Sequence, residues 1–378
     1  MVHKIIFIDM TSDFNHKSIR NIAIGASEYQ FYNLIYQLSL KIENESKEII
    51  CFNNSNKDLN IDNIKYTNIS NFFSYNLDID DKIIIQRIFM IEPKFINKIH
   101  NNRIYLWIHD LICPQLFLGN NLNLFEHFKN NKYLFKNRIL NFYVDKPNIN
   151  YIVPSNFCKN MLYNYFSNFG YHISNNNIHV IHNILYKDDF NFNFNFNLVG
   201  KDNDNSDNID LNQIVFASAW TKNIIHVITL FDYIFQNDEN IKLVLMTPGW
   251  DGNKFVDLEI ELKNKYKEKI IILGKQNKND LFKIIRKSLC VISSTYSETF
   301  GCIFAESYYL GTPVIADIRS GAVSEIIDND YICDFMEPSK VLEKIRQLQK
   351  ERKKINISLD KKFLLEENID KWNNLMLS

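Results

Sequence analysis

The stretch of sequence that decides the fold is Ser-Ser-Thr-Tyr-Ser-Glu-Thr-Phe-Gly-Cys-Ile-Phe-Ala-Glu, residues 293–306. It follows an apolar run that predicts a strand, and its second half predicts a helix that ends near Gly311. Gly301, at the predicted helix start, has no side chain, so the backbone there can approach a ligand closely. The amides of a helix start bind anions, and a diphosphate suits this position. The segment therefore predicts the strand, ligand-binding loop and helix of an α/β fold.

Two carboxylates accompany this helix start. Glu298 lies in the loop and Glu306 lies within the helix. Carboxylate oxygens accept hydrogen bonds, so the pair can bind different hydroxyl groups of one polyhydroxylated ligand. Together with an anion-binding helix start, they fit a molecule that carries phosphates and sugar hydroxyls. The alternative is that Glu306 is a solvated helix residue and that Glu298 is a favourable charge near a helix N-terminus.

On both sides of this segment, short apolar runs alternate with helical patterns. Such alternation predicts βαβ units and parallel sheets covered by helices on both faces. Strands are predicted at Lys4–Ile8, Glu48–Phe52, Lys82–Ile85, Ile104–Trp107, Tyr151–Val153, Ile214–Ala217, Leu243–Met246, Ile270–Leu273, Cys290–Ser293 and Pro313–Ala316. Helices are predicted at Ala26–Ile42, Ile224–Phe235, Asp280–Lys287, Gly301–Leu310, Val323–Ile327 and within Leu359–Met376. Ligands of such sheets bind in the crevice at the carboxyl ends of the strands.

The length of 378 residues favours two domains. Between the two series of strands, Phe alternates with Asn from residue 190, and a polar run follows at 201–207. We interpret residues 197–212 as a linker or surface loop, with an edge strand as the alternative for the Phe-Asn alternation. The predicted divisions are residues 1–186 for an N-terminal acceptor domain and 187–350 for a C-terminal donor domain. Residues 351–378 are predicted to form helices that pack back on the first domain.

Composition narrows the class of protein. A formal net charge of −1 argues against nucleic acid as a partner. Six cysteines without pairing rhythm favour a reducing compartment, and no run reaches the ~18 apolar residues of a membrane span, so we expect a cytoplasmic protein. Residues 128–138 mix cations with aromatic residues. They predict a solvated amphipathic helix or, alternatively, peripheral contact with an anionic membrane surface or a lipid-linked acceptor.

The spacing of Glu298 and Glu306, set between Ser-Glu-Thr-Phe-Gly and Gly-Thr-Pro-Val-Ile-Ala, resembles the E-x7-E signature of family-4-type retaining glycosyltransferases. The resemblance covers most of residues 1–345 and is strongest at 214–327. It implies a GT-B fold, in which two Rossmann-like doubly wound domains face each other across a cleft and a C-terminal helix returns to the first domain. By resemblance, Glu298 contacts donor-sugar hydroxyls and Glu306 contacts the nucleoside ribose. The family places four backbone amides against the sugar and diphosphate, and here they belong to Thr299, Phe300, Gly301 and Cys302.

The loop after Ile214–Ala217 resembles the family segment that carries a phosphate-binding lysine, and Lys222 matches that lysine. This chain departs from the family pattern at two positions near Lys222. The family often has an Arg near Ser218 and a Gly where this chain has Asn223. The loss of the Arg removes one partner of the diphosphate.

Further resemblances lie outside this loop. Leu273-Gly274-Lys275 resembles the turn whose backbone meets the nucleobase, which implies that Gly274 and Lys275 bind the donor. Gly25 resembles the glycine of a loop that borders the diphosphate. His109 follows a predicted strand, where the family often has a His near the donor sugar and acceptor.

These resemblances imply that His109, Lys222 and Glu298 serve catalysis and that a sugar moves from a nucleoside-diphosphate sugar to an acceptor with retention of anomeric configuration. The acceptor is a glycan, a lipid-linked molecule or a protein. One alternative is a nucleotide-sugar 2-epimerase-like enzyme on the same fold. The other is a non-catalytic nucleotide-sugar-binding protein, which the missing Arg favours. A NAD oxidoreductase is less favoured because no G-x-G-x-x-G follows the first strand.

No metal or other cofactor is expected. Asp78-Ile79-Asp80 has the form of the Asp-x-Asp metal motif of GT-A transferases, but its Asn/Asp-rich surroundings favour a solvated loop. His179 and His182 lack carboxylate or cysteine partners at zinc spacing.

Overall fold

The computed structural model describes residues 3–20, 22, 24–42, 47–86, 93–109, 148–168, 173–190, 209–246, 255–296, 298–352, 355 and 357–377. The chain divides into two compact units. Unit 1 contains residues 1–183 and 366–378, and unit 2 contains residues 184–365. The sequence-based divisions lay after residues 186 and 350. The basic run at 128–138 and the Phe-Asn and polar runs at 191–208 lie outside the described residues.

Strands and helices alternate along both units. The strands are β1 (His3–Ile8), β2 (Lys47–Asn53), β3 (Leu59–Ile61), β4 (Ile64–Asn68), β5 (Lys82–Gln86), β6 (Arg103–Trp107), β7 (Ile149–Val153), β8 (Ile178–Val180), β9 (Asp210–Ala217), β10 (Lys242–Met246), β11 (Ile270–Gly274), β12 (Ser288–Ser293), β13 (Val314–Asp317) and β14 (Ile332–Cys333). The helices are α1 (Ala26–Ile42), α2 (Pro93–Ile99), α3 (Asn156–Asn168), α4 (Ile224–Asn237), α5 (Val256–Tyr266), α6 (Lys278–Arg286), α7 (Cys302–Tyr309), α8 (Pro338–Glu351) and α9 (Leu365–Leu377). Every strand predicted from the sequence is present, whereas the helix predicted at Val323–Ile327 is wrong, because a 3-10 turn occupies Gly321–Glu325.

The described strands of unit 1 form one sheet in the order β3-β4-β2-β1-β5-β6-β7-β8. All neighbours are parallel except β3 and β4, which form an antiparallel hairpin. Each central strand has a continuous apolar run, and Ile49–Phe52 in β2 is fully buried. Burial on both faces is what a parallel sheet between helices requires.

Helix α9 belongs to unit 1, although it comes last in the sequence. Its Trp372 is fully buried and meets Trp107 of β6 edge to face, with ring centroids 4.7 Å apart. The last carbonyls of a helix lack partners within it, and here Lys82 of β5 donates to the carbonyls of Leu375 and Met376 at 3.0 and 3.1 Å. Burial lowers the pKa of Lys82 to about 8, and repulsion from neighbouring cations adds to this effect. The last helix is therefore held by an aromatic contact and by a cation at its negative end.

The described strands of unit 2 form a parallel sheet in the order β11-β10-β9-β12-β13-β14. The chain starts in the middle at β9, moves outward to β11, and then returns to the other side of β9 with β12. This order reverses between β9 and β12, and such a reversal marks the ligand-binding crevice of doubly wound sheets. Among the described helices, none has the length and apolar character needed to cross a bilayer.

Candidate functional site

The candidate site of unit 2 lies where the loops after β9 and β12 meet. Asn223, from the loop after β9, donates from its side-chain amide to the carbonyl of Ser294 at 3.1 Å. The hydroxyl of Ser294 donates in return to the carbonyl of Asn223 at 3.2 Å. These reciprocal hydrogen bonds join the loop that carries Lys222 to the loop that carries Glu298.

Asn223 also explains how this chain does without a glycine at that position. Its backbone has φ 68° and ψ 38°, in the left-handed region, where it begins helix α4. Asn adopts this conformation more readily than most residues with a side chain. The side chain then supplies the hydrogen bond to Ser294, a contact that a glycine at this position would lack.

Lys222 and Glu298, both predicted to act in catalysis, form an ion pair. The Nζ of Lys222 lies 2.9 Å from Oε2 of Glu298. The Lys222 side chain is 41% exposed and that of Glu298 is 13% exposed. Oε1 of Glu298 accepts no hydrogen bond from the described residues. The pair therefore presents an accessible ammonium group and a carboxylate oxygen that can accept a hydroxyl.

Gly301 shapes the start of helix α7. Its φ of +81° lies in the left-handed region. A Cβ at this position would lie 2.5 Å from Cδ2 of Phe304 and 3.2 Å from Cγ of Glu298. Only glycine fits between the buried Phe304 ring and the glutamate. The predicted close approach of this backbone to a ligand stays a prediction.

The neighbouring residues of this loop are buried or half-buried. Thr299 and Phe300 are buried, and the Phe300 ring packs edge to face on Phe363 at 5.6 Å. Cys302 is the first residue of α7 and is half-buried. The Phe300 side chain therefore belongs to the core, and the amide is the group of this residue that remains as a candidate for ligand binding.

Glu306 forms a second ion pair. Its Oε1 lies 3.0 Å from Nζ of Lys278, the first residue of α6. Lys278 also lies 3.4 Å from Oδ2 of Asp189. Lys278 and Asp189 could not be predicted from the sequence, because contacts that span 28 and 89 residues leave no local pattern. The structure thus pairs each glutamate of the motif with a lysine.

The remaining predicted residues lie at strand ends and at one helix start. Gly274 ends β11 with φ +62°, and the exposed Lys275 follows it. In unit 1, Gly25 precedes α1 and its carbonyl accepts the Tyr29 amide at 3.0 Å. His109 is buried, with its ring 4.4 Å from that of Trp107.

Arg319, which follows β13, is paired with two carboxylates. Its guanidinium binds the buried Asp317 at 2.7 Å and Asp334 at 2.8 Å. The hydrogen bond with Asp317 raises the pKa of Arg319 further. The charge of Arg319 is therefore already balanced within unit 2.

The residues considered for metal binding have other partners. Asp78 lies 3.8 Å from Lys4, and its amide donates to Asp81 at 2.9 Å. His179 contacts Asn150 at 3.1 Å, and His182 contacts a backbone carbonyl at 2.9 Å. In the part of the chain that the structure describes, no three His, Cys, Asp or Glu residues are grouped as metal ligands.

Comparison with known proteins bears on both the sequence and the fold. Residues 205–361, which are less than half of the chain, match the family model of group 1 glycosyl transferases. No curated protein sequence matches significantly. Sucrose-phosphate synthase from Thermosynechococcus elongatus superposes with a TM-score of 0.67 at 12% identity, covering 99% of this chain and 98% of that chain. HepE of Anabaena, solved with UDP and glucose, superposes with a TM-score of 0.58 at 13% identity, covering 99% of this chain and 95% of HepE. TarM superposes with a TM-score of 0.53 at 18% identity, and the match covers 80% of this chain. This chain spans only 55% of the length of TarM.

The chain has the GT-B fold. The family match falls on unit 2 and includes Lys222, Lys278 and both glutamates of the motif. Together, the family match and the fold support a GT-B glycosyltransferase, as the sequence indicated.

Proposed function

We propose that this chain transfers a glycosyl group from a nucleoside-diphosphate sugar to an acceptor hydroxyl with retention of anomeric configuration. The observation that carries the proposal is the pairing of Lys222 with Glu298 at the reversal point of the unit 2 sheet. That point is where doubly wound sheets bind nucleotides, and it lies inside the segment that matches group 1 glycosyl transferases.

The donor has a complementary surface in unit 2. Lys222 and the amides at the start of α7 bind the diphosphate, because a helix N-terminus and a cation both favour anions. Glu298 binds sugar hydroxyls and Glu306 binds the ribose, each through the carboxylate oxygen that its lysine does not use. The solved complex of HepE with UDP and glucose supports a ligand of this kind. Gly274 and Lys275 meet the base.

The proposed reaction breaks the bond between the anomeric carbon and the diphosphate oxygen and forms a bond from that carbon to the acceptor oxygen. Negative charge grows on the leaving diphosphate, and Lys222 with the helix-start amides stabilises it. The leaving diphosphate takes the proton of the acceptor hydroxyl. Glu298 and His109 position sugar and acceptor. No step requires a divalent metal.

Ligand-dependent stabilisation tests the donor class. UDP, GDP, ADP and their common hexose derivatives are each added to the protein, and the thermal midpoint is measured. Saturation at 100 times the dissociation constant stabilises the folded state by about 2.7 kcal/mol, so a binding donor raises the midpoint by several degrees. If none of these nucleotides shifts the midpoint, the proposed function is wrong.

The donor that binds is then incubated with the enzyme and followed by NMR. Release of free sugar or of a glycoside that keeps the anomeric configuration of the donor supports retaining transfer. A 2-epimer of the donor sugar indicates the epimerase-like alternative. Binding without turnover across a broad acceptor panel indicates a non-catalytic protein, which the absence of an Arg near Ser218 favours.

A further inference from the structure

Lys278 is the first residue of α6, a position that is unfavourable for a cation. The N-terminus of a helix carries partial positive charge, so a lysine there is unfavourable unless anions surround it. Two anions do. Nζ of Lys278 is 3.0 Å from Glu306 and 3.4 Å from Asp189, and the three side chains are only 11–30% exposed. Within the described part of the chain, Lys278 thus lies between two carboxylates.

Aromatic packing holds the same three elements together. Nζ of Lys278 lies 5.6 Å from the ring centroid of Phe282, and Phe282 stacks on Phe190 at 4.6 Å with the rings nearly parallel. Phe190 also contacts Tyr309 at the end of α7, at 4.3 Å. One packed cluster therefore contains helix α6, helix α7 and the segment with Asp189. Within it, the ammonium group of Lys278 lies beside the carboxylate of Glu306.

We infer that Lys278 is a positioning residue for the ribose of the donor, an inference that rests on the proposed function. Its ammonium holds Oε1 of Glu306, so Oε2, which accepts no hydrogen bond from the described residues, is kept as the acceptor for a ribose hydroxyl. Without the cation, Glu306 and Asp189 repel each other, and Glu306 leaves the position in which that oxygen meets the sugar. Lys278 thus acts through Glu306 and does not itself touch the reacting atoms.

The test is a thermodynamic cycle between the lysine and the ribose hydroxyls. Calorimetric titration measures the dissociation constants of the best-binding nucleoside diphosphate and of its 2′,3′-dideoxy analogue for wild type and Lys278→Met. We expect Lys278→Met to weaken binding of the ribonucleotide about tenfold, the loss typical of a hydrogen bond to a charged group. For the dideoxy analogue, which has no hydroxyl to bind Glu306, we expect a change of less than about twofold.

Two variants complete the design. Lys278→Arg keeps the charge and should restore most of the ribonucleotide affinity. Lys283→Met is the matched control, because Lys283 lies on the same helix, is about half exposed and pairs only with Asp280 in the described part of the chain. It should bind both nucleotides as wild type does.

The outcomes separate this inference from the proposed function. Equal losses for both nucleotides would assign Lys278 to the diphosphate or to general stability, and unchanged or tighter binding would show that it competes with the ribose. Either result, with wild type still binding and turning over its donor, overturns the inference alone. If wild type binds none of the nucleoside diphosphates, the proposed function fails and the inference falls with it.

Discussion

Replacing Gly301 by alanine should destabilise unit 2 more than the same change at another glycine of similar conformation. The φ of Gly301 is +81°, and an L-residue with a side chain costs roughly 1–2 kcal/mol in the left-handed region. The added Cβ would lie 2.5 and 2.6 Å from two ring carbons of Phe304, which is buried in the core and cannot swing into solvent. Forcing an extra carbon into a packed site typically costs 1–3 kcal/mol. We therefore expect Gly301→Ala to lower the free energy of unfolding by about 2–5 kcal/mol.

Gly311 provides the matched control. It has φ +73°, and a Cβ there would meet no atom within 4 Å. Gly311→Ala should therefore show only the conformational cost of roughly 1–2 kcal/mol. The difference between the two variants isolates the overlap with Phe304.

Hydrogen exchange of peptides from residues 255–352, measured across a urea series, reports the stability of unit 2 separately from that of unit 1. Nucleotide affinity is measured on the same samples. The Cβ of Gly301→Ala also crowds Cγ of Glu298 at 3.2 Å, so this variant should bind its donor less tightly, whereas Gly311→Ala should not. Equal destabilisation by the two substitutions would refute the reasoning about space at the start of α7.

Further outcomes follow from the site and from α9. Lys222→Ala should reduce kcat by roughly 10²–10³, because its contact strengthens as the leaving group gains charge, whereas Glu306→Ala should mainly weaken nucleotide binding, by about 1.5–3 kcal/mol. Steady-state kinetics and calorimetry on the folded variants distinguish these effects, and a Lys222→Ala kcat within a few-fold of wild type would contradict the assignment. Turnover should persist in EDTA, and activity that is lost and then restored by Mn²⁺ or Mg²⁺ would oppose a metal-independent reaction. The pKa of Lys82 is lowered to about 8 in the folded protein, against roughly 10.4 when unfolded, so the unfolded state binds the extra proton between these values and stability rises with pH across this window. Since Lys82 is partly exposed, we discount the gain for solvent screening to about 1 kcal/mol. It is measured as the difference between wild type and Lys82→Met in denaturation from pH 7.5 to 10.5. An identical pH dependence of the two proteins would contradict it.

Elements with a strong apolar period were predicted closely from the sequence. Helix α1 was predicted at Ala26–Ile42 and has those bounds. The prediction used the helical spacing of its apolar residues Phe31, Leu34, Ile35 and Leu38. Gly311 was predicted to end α7. The helix ends at Tyr309 with Leu310 as its cap, and Gly311 follows with φ +73°, which confirms this. Both predictions depended on local signals, which a single sequence contains.

Short elements were harder to predict. The β3–β4 hairpin turns at Asp62 and Asn63, whose φ values of 49° and 63° are those of a two-residue hairpin turn. The Asp-Asn pair is a sequence signal for such a turn, but no hairpin was predicted here. The helix predicted at Val323–Ile327 spans barely more than one turn, and a segment of that length gives too little periodicity to distinguish an α-helix from a 3-10 turn.

For the candidate site, too, local features could be predicted from the sequence and contacts between distant residues could not. The loop with Glu298 and Gly301 could be found from sequence because strand, loop and helix are contiguous. The reciprocal bonds of Asn223 with Ser294 join residues 71 positions apart, and no local pattern reports them. Ion pairs between distant residues depend on how the strands are ordered in the sheet, and that order became visible only in the structure.

The position of α9 has a consequence for the order in which the protein is made. Unit 2 is continuous in the chain, but the two parts of unit 1 emerge from the ribosome before and after it. Lys82 precedes its carbonyl partner at Leu375 by 293 residues, which takes about 15–60 s to translate at ordinary elongation rates. During that interval Trp107 lacks the ring of Trp372 that covers it in the finished protein. The N-terminal sheet, although its strands are synthesised before unit 2, is therefore completed only after unit 2 has been translated, and until then the apolar surface that α9 covers stays open.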